Sequence, residues 1–378
     1  MRRGSAVAAS LTGAAALAVA VTLLRGEVEP VGTVPATTTV AVPAPSEPEP
    51  GLPEREAEAA QVDGPVLEVP DAVVLAQADG ARIAYTDFRG SHLTVVDRAA
   101  GGPPVSHRPR EGTTGFGTRW LLRGDSVYYV ERSAGPSRSA TVRLLRLDLA
   151  SGTTTELPLR TMAAPAASTI LVAVGDELLL IGQTAEGRRA CVVAVRPADG
   201  SDRIVVCAEL ERQQAYLAPF GDEALVGYSS AAPGCSDWLR VAADGRTRPV
   251  RLRPGACEPN SLAVSGVWRI AAPVGSGLIP DGPLGPVVAY LDNRRVVLDP
   301  RGRSAVTCGR HVYWTAESDG RGLLRRWLPG DDHVEAVDRL APDWRISGVT
   351  CRDGVLAVPT IAADGTGGSS MVRILDQP

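Results

Sequence analysis

One structural unit recurs along the chain after residue 65. It contains an apolar strand, a Gly/Asp turn, a second strand, a variable loop, a third strand that ends near Asp, a Gly turn and a fourth strand. The first turns follow one another at intervals of 43–51 residues and fall at Asp79, Asp125, Asp176, Asp222, Gly266, Arg310 and Asp353. Four strands per period of about 40–50 residues are typical of β-propellers. The sequence therefore predicts an all-β, seven-bladed β-propeller over residues 65–378, and its degenerate fifth unit leaves six or eight blades open.

The seventh unit lacks a fourth strand, because its third strand runs to Asp376, close to the end of the sequence. A short apolar segment, Val-Leu-Glu-Val at 66–69, precedes the first unit. We expect this segment to complete the last unit by pairing with its third strand. Such pairing of the two ends leaves no long open sheet edge.

The first unit resembles a known repeat. Its segment ADGARIAYTDFRGSHLTVVDRAAG at 78–101 is similar to the WD40-like repeat of TolB-type propellers, P-D-G-x-x-[IL]-[AV]-[FY], although Ala78 replaces the proline. The matching residues are Asp79, Gly80, Ile83, Ala84 and Tyr85. LDLASGTTTEL at 147–157 resembles the D-x-x-[ST]-G turn of quinoprotein-type blades, without their docking tryptophan. These resemblances imply the fold over residues 66–378 and no particular activity, since propellers host unrelated functions.

The N-terminal 25 residues have the pattern of an export segment. Arg2 and Arg3 precede 21 uncharged residues, 4–24, which is enough to cross the hydrocarbon core as a helix. Two interpretations compete. A cleaved signal peptide needs a small-x-small site, which Val-Thr-Leu-Leu-Arg at 21–25 does not offer. We therefore favour an uncleaved signal anchor, with the rest of the chain extracytoplasmic.

Residues 26–64 are predicted to be a disordered linker rich in Pro, Glu and Thr. The segment holds seven prolines and has too few apolar residues to bury a core. Proline favours extended polyproline II structure at about 3.1 Å per residue. We expect a stalk that holds the propeller away from the membrane.

Charge excludes some functions. The chain has no lysine, so Schiff-base chemistry and the Walker-A phosphate clamp are excluded. Residues 66–378 contain 35 arginines and 35 acidic residues. Nucleic-acid binders carry a basic excess that neutralises phosphates, and this domain has none.

The six cysteines lie in the predicted propeller and suit an oxidising compartment. Cys191 and Cys207 flank one hairpin turn, and Cys235 and Cys257 flank the corresponding turn of the next unit. Cys308 and Cys351 occupy the same V-T-C position in consecutive units. We predict these three pairs as disulfides, the alternative being buried free thiols.

No catalytic, cofactor or metal site is predicted. His92, His107, His311 and His333 lack metal-ligand spacing, and we expect them to be solvated or to fill space in the core. G-x-S-x-G is absent, as is the sialidase-type Asp box. The recurrent Asp125, Asp176 and Asp222 are interpreted as turn formers.

Aromatic residues give a candidate binding face. Tyr128, Tyr129, Tyr313 and Trp314 lie on second strands and are expected to pack between blades. Trp238, Trp327 and Trp344 lie nearer to loops and are candidate anchors for a ligand.

These observations favour a membrane-tethered, extracytoplasmic propeller that acts as a protein-binding or scaffolding module in a bacterial envelope. Its expected partner is an envelope protein or cell-wall component, with the membrane contacted through residues 4–24. The alternative is a propeller enzyme that acts on cell-wall glycan or another extracellular polymer. Converging carboxylates would favour the enzyme, and an aromatic rim would favour the binding module.

Overall fold

The computed structural model describes residues 50–57, 64–69, 72–87, 90–98, 103–113, 115–116, 120–133, 141–166, 170–184, 189–209, 215–220, 223–229, 236–242, 244–250, 261–265, 268–272, 284–291, 294–362 and 370–377. All of them belong to a compact unit, Pro48–Pro378. The predicted membrane segment lies outside the described residues. Within the described ranges, no helix is long and apolar enough to span a bilayer.

The described residues form short strands joined by turns, as expected from apolar runs that are separated by Gly and Asp. Two strands precede the first unit: β1 (Glu54–Glu56) and β2 (Val66–Val69). The first unit contains β3 (Val73–Ala78), β4 (Arg82–Asp87), β5 (Leu93–Asp97) and β6 (Val105–His107). The second contains β7 (Trp120–Arg123), β8 (Ser126–Arg132), β9 (Val142–Asp148) and β10 (Thr154–Glu156).

The middle of the chain continues this order. The third unit contains β11 (Ala164–Pro165), β12 (Val172–Val174), β13 (Glu177–Gln183), β14 (Arg189–Arg196) and β15 (Ser201–Glu209). The fourth contains β16 (Ala215–Phe220), β17 (Glu223–Ser229), β18 (Ser236–Val241) and β19 (Thr247–Val250).

The last units span the C-terminal part of the chain. The fifth and sixth units contain β20 (Ser261–Ser265), β21 (Trp268–Ala272), β22 (Gly285–Leu291), β23 (Arg294–Cys308), β24 (His311–Ser318), β25 (Arg321–Trp327) and β26 (Val334–Arg339). The seventh contains β27 (Trp344–Ile346), β28 (Thr350–Arg352), β29 (Val355–Ala362) and β30 (Ser370–Asp376).

These strands form six hydrogen-bonded sheets in the described residues, which corrects the predicted seven separate blades. Five sheets have the size of one blade, with four or five strands, so the described residues show five separate blades rather than the predicted seven. The other sheet has eight strands, in the order β1-β26-β25-β24-β23-β22-β21-β20. The cause is β23, which runs for 15 residues through the point where a connection between two blades was expected. It pairs with β22 through its first half and with β24 through its second half, with a register shift between Arg303 and Val306.

The two ends of the propeller are joined as predicted. Strand β2 pairs antiparallel with β30, with Leu67 opposite Val372. The amide of Ile374 also donates to the carbonyl of Pro65 at 3.0 Å. Gly64 precedes this strand, and a Cβ there would lie 2.0 Å from the Ile374 carbonyl oxygen, so only glycine fits.

The core consists of apolar clusters between consecutive units. One cluster joins β2, β3 and β4 to β29 and β30, and another joins the first unit to Trp120 and Tyr129 of the second. Trp314 and Trp327 are fully buried in a cluster within the eight-stranded sheet. Side chains alternate along a strand, so each inner strand contributes to the clusters on both sides of its sheet.

Candidate functional site

The most specific contact outside the repeats is made by Pro50–Ala57, here called the docked segment. Its strand β1 lies parallel to β26, with Glu54 opposite Val334 and Glu56 opposite Ala336. Three further backbone hydrogen bonds fix it: Leu52 N to Val297 O at 3.0 Å, Val334 N to Pro53 O at 2.9 Å, and Ala57 N to Ala336 O at 3.0 Å. The prediction of a disordered linker therefore does not hold for these residues.

The start of the docked segment is shaped to the sheet surface. Leu52 packs against the apolar cluster of the eight-stranded sheet. A Cβ on Gly51 would lie 2.9 Å from Cδ of Pro300 and 3.1 Å from the carbonyl oxygen of Leu298, so a larger residue would push the segment away. Small size at residue 51 and an apolar side chain at residue 52 thus bring the chain onto the sheet.

Charge complementarity fixes the rest of the segment. The two acidic residues of β1 are two positions apart and therefore face the same way. The Glu54 carboxylate contacts both Arg325 and Arg339, and Glu56 accepts a hydrogen bond from Arg339 Nε at 2.9 Å. This hydrogen bond, together with the charges of Glu54 and Glu56, raises the pKa of Arg339.

Arg325 also contacts a buried carboxylate, that of Asp299. Asp299 is 1% exposed, and its Oδ2 accepts from the indole of Trp314 at 2.8 Å and from Arg325. Its Oδ1 accepts from the amide of Arg301 at 2.9 Å. Arg325 therefore lies between a buried aspartate of the sheet and Glu54 of the docked segment, which gives each carboxylate a cationic partner.

A cleft of about 150 Å³ lies beside these groups and is lined in part by Gly51, Glu54, Asp299 and Glu317. Three carboxylates thus line this cleft, whereas the enzyme alternative requires carboxylates that converge on the central channel. However, Glu317 pairs with Arg303 at 3.0 Å, and the other two pair with Arg325. Each of these carboxylates is thus paired with a guanidinium group, and the pairs made by Glu54 hold the docked segment on the sheet.

The predicted histidines are distributed over the surface and the core. Burial lowers the pKa values of His107 and His311, and Nε2 of His107 is buried without a hydrogen-bond partner in the described residues. His333 Nδ1 lies 2.9 Å from Asp332, and His92 Nδ1 lies 2.9 Å from the Ser91 hydroxyl. Within the described part of the chain, no three His, Cys, Asp or Glu side chains converge as metal ligands.

Two of the three predicted disulfides are present. Cys191–Cys207 links paired positions of β14 and β15, and Cys308–Cys351 links β23 to β28. The second bond joins the eight-stranded sheet to the last unit. Cys235 and Cys257 lie outside the described residues, and their pairing stays a prediction.

The aromatic candidates divide into two groups. Tyr128, Tyr129, Tyr313 and Trp314 are buried, which confirms their packing role. Trp238 and Trp327 are 3% and 1% exposed, which leaves no accessible ring face for a ligand and corrects their assignment to a binding rim. Trp238 covers Gly227 on the neighbouring strand, and Trp327 packs edge-on against Trp268. Trp344 is half-buried and stays a candidate.

The recurrent aspartates stabilise turns and join units. Oδ1 of Asp79 accepts from the amides of Ala81 and Arg82 at 2.8 Å, which confirms a turn-forming role of the kind predicted. Asp125 binds Arg82 of the preceding unit, and Asp176 binds Arg196 of its own unit. Asp222 lies outside the described residues.

The sequence did not reveal the docking residues Leu52, Glu54, Arg325 and Arg339. The sole local signal is the Glu-x-Glu spacing of β1, which places two carboxylates on one side of a strand. Their arginine partners lie more than 250 residues away in the sequence and become adjacent when the propeller folds.

No family model and no curated protein matches the chain. Solved structures match at the level of the fold. The propeller domain of the Trilobed protease from Pyrococcus furiosus, described as having an open velcro topology, is 12% identical, with a TM-score of 0.54 over 81% of this chain and 94% of that chain. A prolyl endopeptidase is 14% identical, with a TM-score of 0.56 over 81% of this chain.

The polysaccharide lyase Uly1 gives 13% identity and a TM-score of 0.51 over 81% of this chain and 89% of that chain. This chain spans 47% of the prolyl endopeptidase. At such identities the likeness shows a β-propeller fold and not a TolB-type family membership. The neighbours include both peptidases and a lyase.

Proposed function

We propose that the chain is a membrane-tethered, extracytoplasmic propeller that serves as a protein-binding or scaffolding module in the bacterial envelope. The observation that carries this proposal is the docked segment. The outer edge of the eight-stranded sheet takes up an extended stretch of chain through backbone hydrogen bonds, with two arginines that select its carboxylates. This is the physical basis of peptide recognition by strand addition.

Other edges of the propeller have the same potential. Strands β6, β10, β15, β19 and β2 end their sheets and have no further strand beside them among the described residues. Their exposed apolar residues include Val105 on β6 and Ile204 on β15. Outer strands that present backbone N–H and C=O groups beside exposed apolar side chains suit pairing with an extended partner segment.

Two features support the compartment. The disulfides Cys191–Cys207 and Cys308–Cys351 suit an oxidising environment. The uncharged run at 4–24 behind Arg2 and Arg3 supplies the tether. The partner is accordingly sought among envelope proteins and cell-wall components.

The test captures partners with the full chain, solubilised from membranes and immobilised through a C-terminal tag, from an envelope extract of the source organism. The control is the same protein after reduction and unfolding. We expect one protein to be retained by the native chain alone and to bind again after separate purification. Release of sugar reducing ends from envelope glycan, with no protein partner, would instead establish the polymer-acting enzyme.

A further inference from the structure

A second cleft, of about 230 Å³, lies between the first unit and strand β2. Val69 and Val73 lie behind its surface at 2% and 0% exposure, so its accessible apolar wall is the Tyr85 side chain. The cleft is separate from the docked segment. Its volume exceeds the ~150 Å³ in which an engineered cavity holds benzene, so it accepts a group with the size of one six-membered ring.

The polar wall is held in one arrangement by Asp87. Its Oδ1 accepts from the amide of Ser91 at 2.6 Å, and its Oδ2 accepts from the Ser91 hydroxyl. A serine hydroxyl has one proton, so His92 Nδ1, 2.9 Å from Ser91 Oγ, must be the donor in that contact. Nε2 of His92 has no hydrogen-bond partner among the described residues.

The side of the cleft on β5 and β6 carries hydroxyl groups. Thr94 Oγ1 and Ser106 Oγ are 2.9 Å apart, so one donates to the other and one proton remains for a ligand. The cleft therefore offers a hydroxyl donor, the second ring nitrogen of His92 and the unused lone pairs of the Asp87 carboxylate. These groups lie around an apolar wall.

We propose that this cleft binds one neutral sugar ring of an envelope glycan. A pyranose has an apolar face of C–H groups that fits against Tyr85, and its hydroxyl edge both donates and accepts hydrogen bonds. Asp87 forms no ion pair with any described residue, so its negative charge disfavours sugars that carry a carboxylate. Among the described residues that line the cleft, Asp87 is the single carboxylate.

This inference goes beyond the proposed protein-binding function and does not depend on it. A sugar site on the first unit and a strand-adding edge on the eight-stranded sheet use different residues. Either one can fail without the other.

The experiment measures saturation-transfer NMR of the full chain in a detergent that has no sugar headgroup. The probes are a methyl hexopyranoside and the matching methyl hexuronate. We expect a signal from the neutral hexoside, and a signal at least fivefold weaker from the uronate. Asp87→Ala and the nearly isosteric Thr94→Val should each weaken hexoside binding at least tenfold.

Asp125→Asn, an exposed acidic residue at a distant turn, serves as the matched control and should bind like the wild type. Asp87→Ala also removes the contacts that hold Ser91, so Thr94→Val keeps the test independent of that loop. Equal signals from hexoside and uronate, or no loss of hexoside binding in a folded Thr94→Val protein, would overturn the proposal.

Discussion

Asp299 shows how one buried charge connects the sheet to the docked segment. Arg325 contacts both its carboxylate and that of Glu54. Removal of the Asp299 charge leaves Arg325 paired with Glu54 but takes the charged acceptor away from Arg325 and Trp314, and a hydrogen bond to a charged group contributes about 1.5–3 kcal/mol. A neutral amide at residue 299 retains the shape but not the charge.

We therefore expect Asp299→Asn to reduce the free energy of unfolding by about 3 kcal/mol. Urea denaturation of the oxidised protein checks this value. Asp176→Asn serves as the matched control, because that carboxylate is 75% exposed, and it should leave the denaturation midpoint unchanged. Equal midpoints for Asp299→Asn and wild type would show that the Asp299–Arg325 pair contributes no stability.

His107 and His311 give the stability a defined pH dependence. Burial lowers both pKa values below 6.5, so at acid pH the unfolded chain binds more protons than the folded protein. The stability that these two histidines contribute is complete above pH 6.5, and it is lost as the pH falls through 6.5 toward their folded-state pKa values. The double variant His107→Asn/His311→Asn should lose less thermal stability between pH 7.5 and pH 5 than the wild type. Parallel pH profiles for the two proteins would contradict this assignment.

At the scale of elements, β1 is held by side-chain charges at the edge of the propeller. Arg339 contacts both Glu54 and Glu56, so Arg339→Gln weakens both contacts at once. A loss of 1–2 kcal/mol raises the open fraction about 5–30-fold. Because trypsin cleaves opened segments, cleavage after Arg55 should accelerate about fivefold or more in this variant.

Mass spectrometry measures that rate from the appearance of the fragment whose new N terminus is Glu56. Arg246→Gln is the control, since Arg246 is 72% exposed and pairs within its own turn with Asp244. It should leave cleavage after Arg55 at the wild-type rate. An unchanged rate in Arg339→Gln would mean that the backbone hydrogen bonds alone hold the segment.

Closure of the propeller by β2 can be tested with proline substitutions at two adjacent residues, Leu67 and Glu68. Pro65 accepts from Ile374, and antiparallel pairing alternates, so the amide of Leu67 faces β30 and that of Glu68 faces away. Leu67→Pro should cost ~3 kcal/mol and lower the thermal midpoint by roughly 5–10 °C. Glu68→Pro, on an edge strand with its amide outward, should have a much smaller effect. Similar midpoints for the two variants would exclude closure by this strand.

At the scale of the whole molecule, local pattern predicted the strands, the described turns and the closure. The signals were apolar runs, Gly and Asp turns, and a missing fourth strand, and all of these lie within one period. The eight-stranded sheet was not predictable, because Asp-Pro-Arg-Gly at 299–302 resembles a turn. In the fold, Gly302 instead packs under Val287 and Trp314 and allows β23 to continue.

The docked segment was missed for a different reason. A proline-rich stretch with few apolar residues carries no periodic signal, and its order comes from partners that are distant in the sequence. Likewise, the positions of Trp238 and Trp327 near loops predict that they are exposed on the surface. Their burial depends on Gly227 and Trp268, which lie on neighbouring strands. The cleft of the first unit required the spatial approach of β2, which the repeat pattern alone did not place beside Tyr85.

The membrane tether is a property of the whole chain and is tested on it. Because Val-Thr-Leu-Leu-Arg at 21–25 offers no small-x-small site, the uncleaved anchor should remain, and the chain should resist carbonate extraction and require detergent. Its intact mass should include Arg2 and Arg3. The matched variant Thr22→Ala/Leu24→Ala creates Ala-Leu-Ala immediately before Arg25 and should release a shortened chain that begins at Arg25. Recovery of the wild type without detergent, at the mass of that shortened chain, would show a cleaved signal peptide and a secreted propeller.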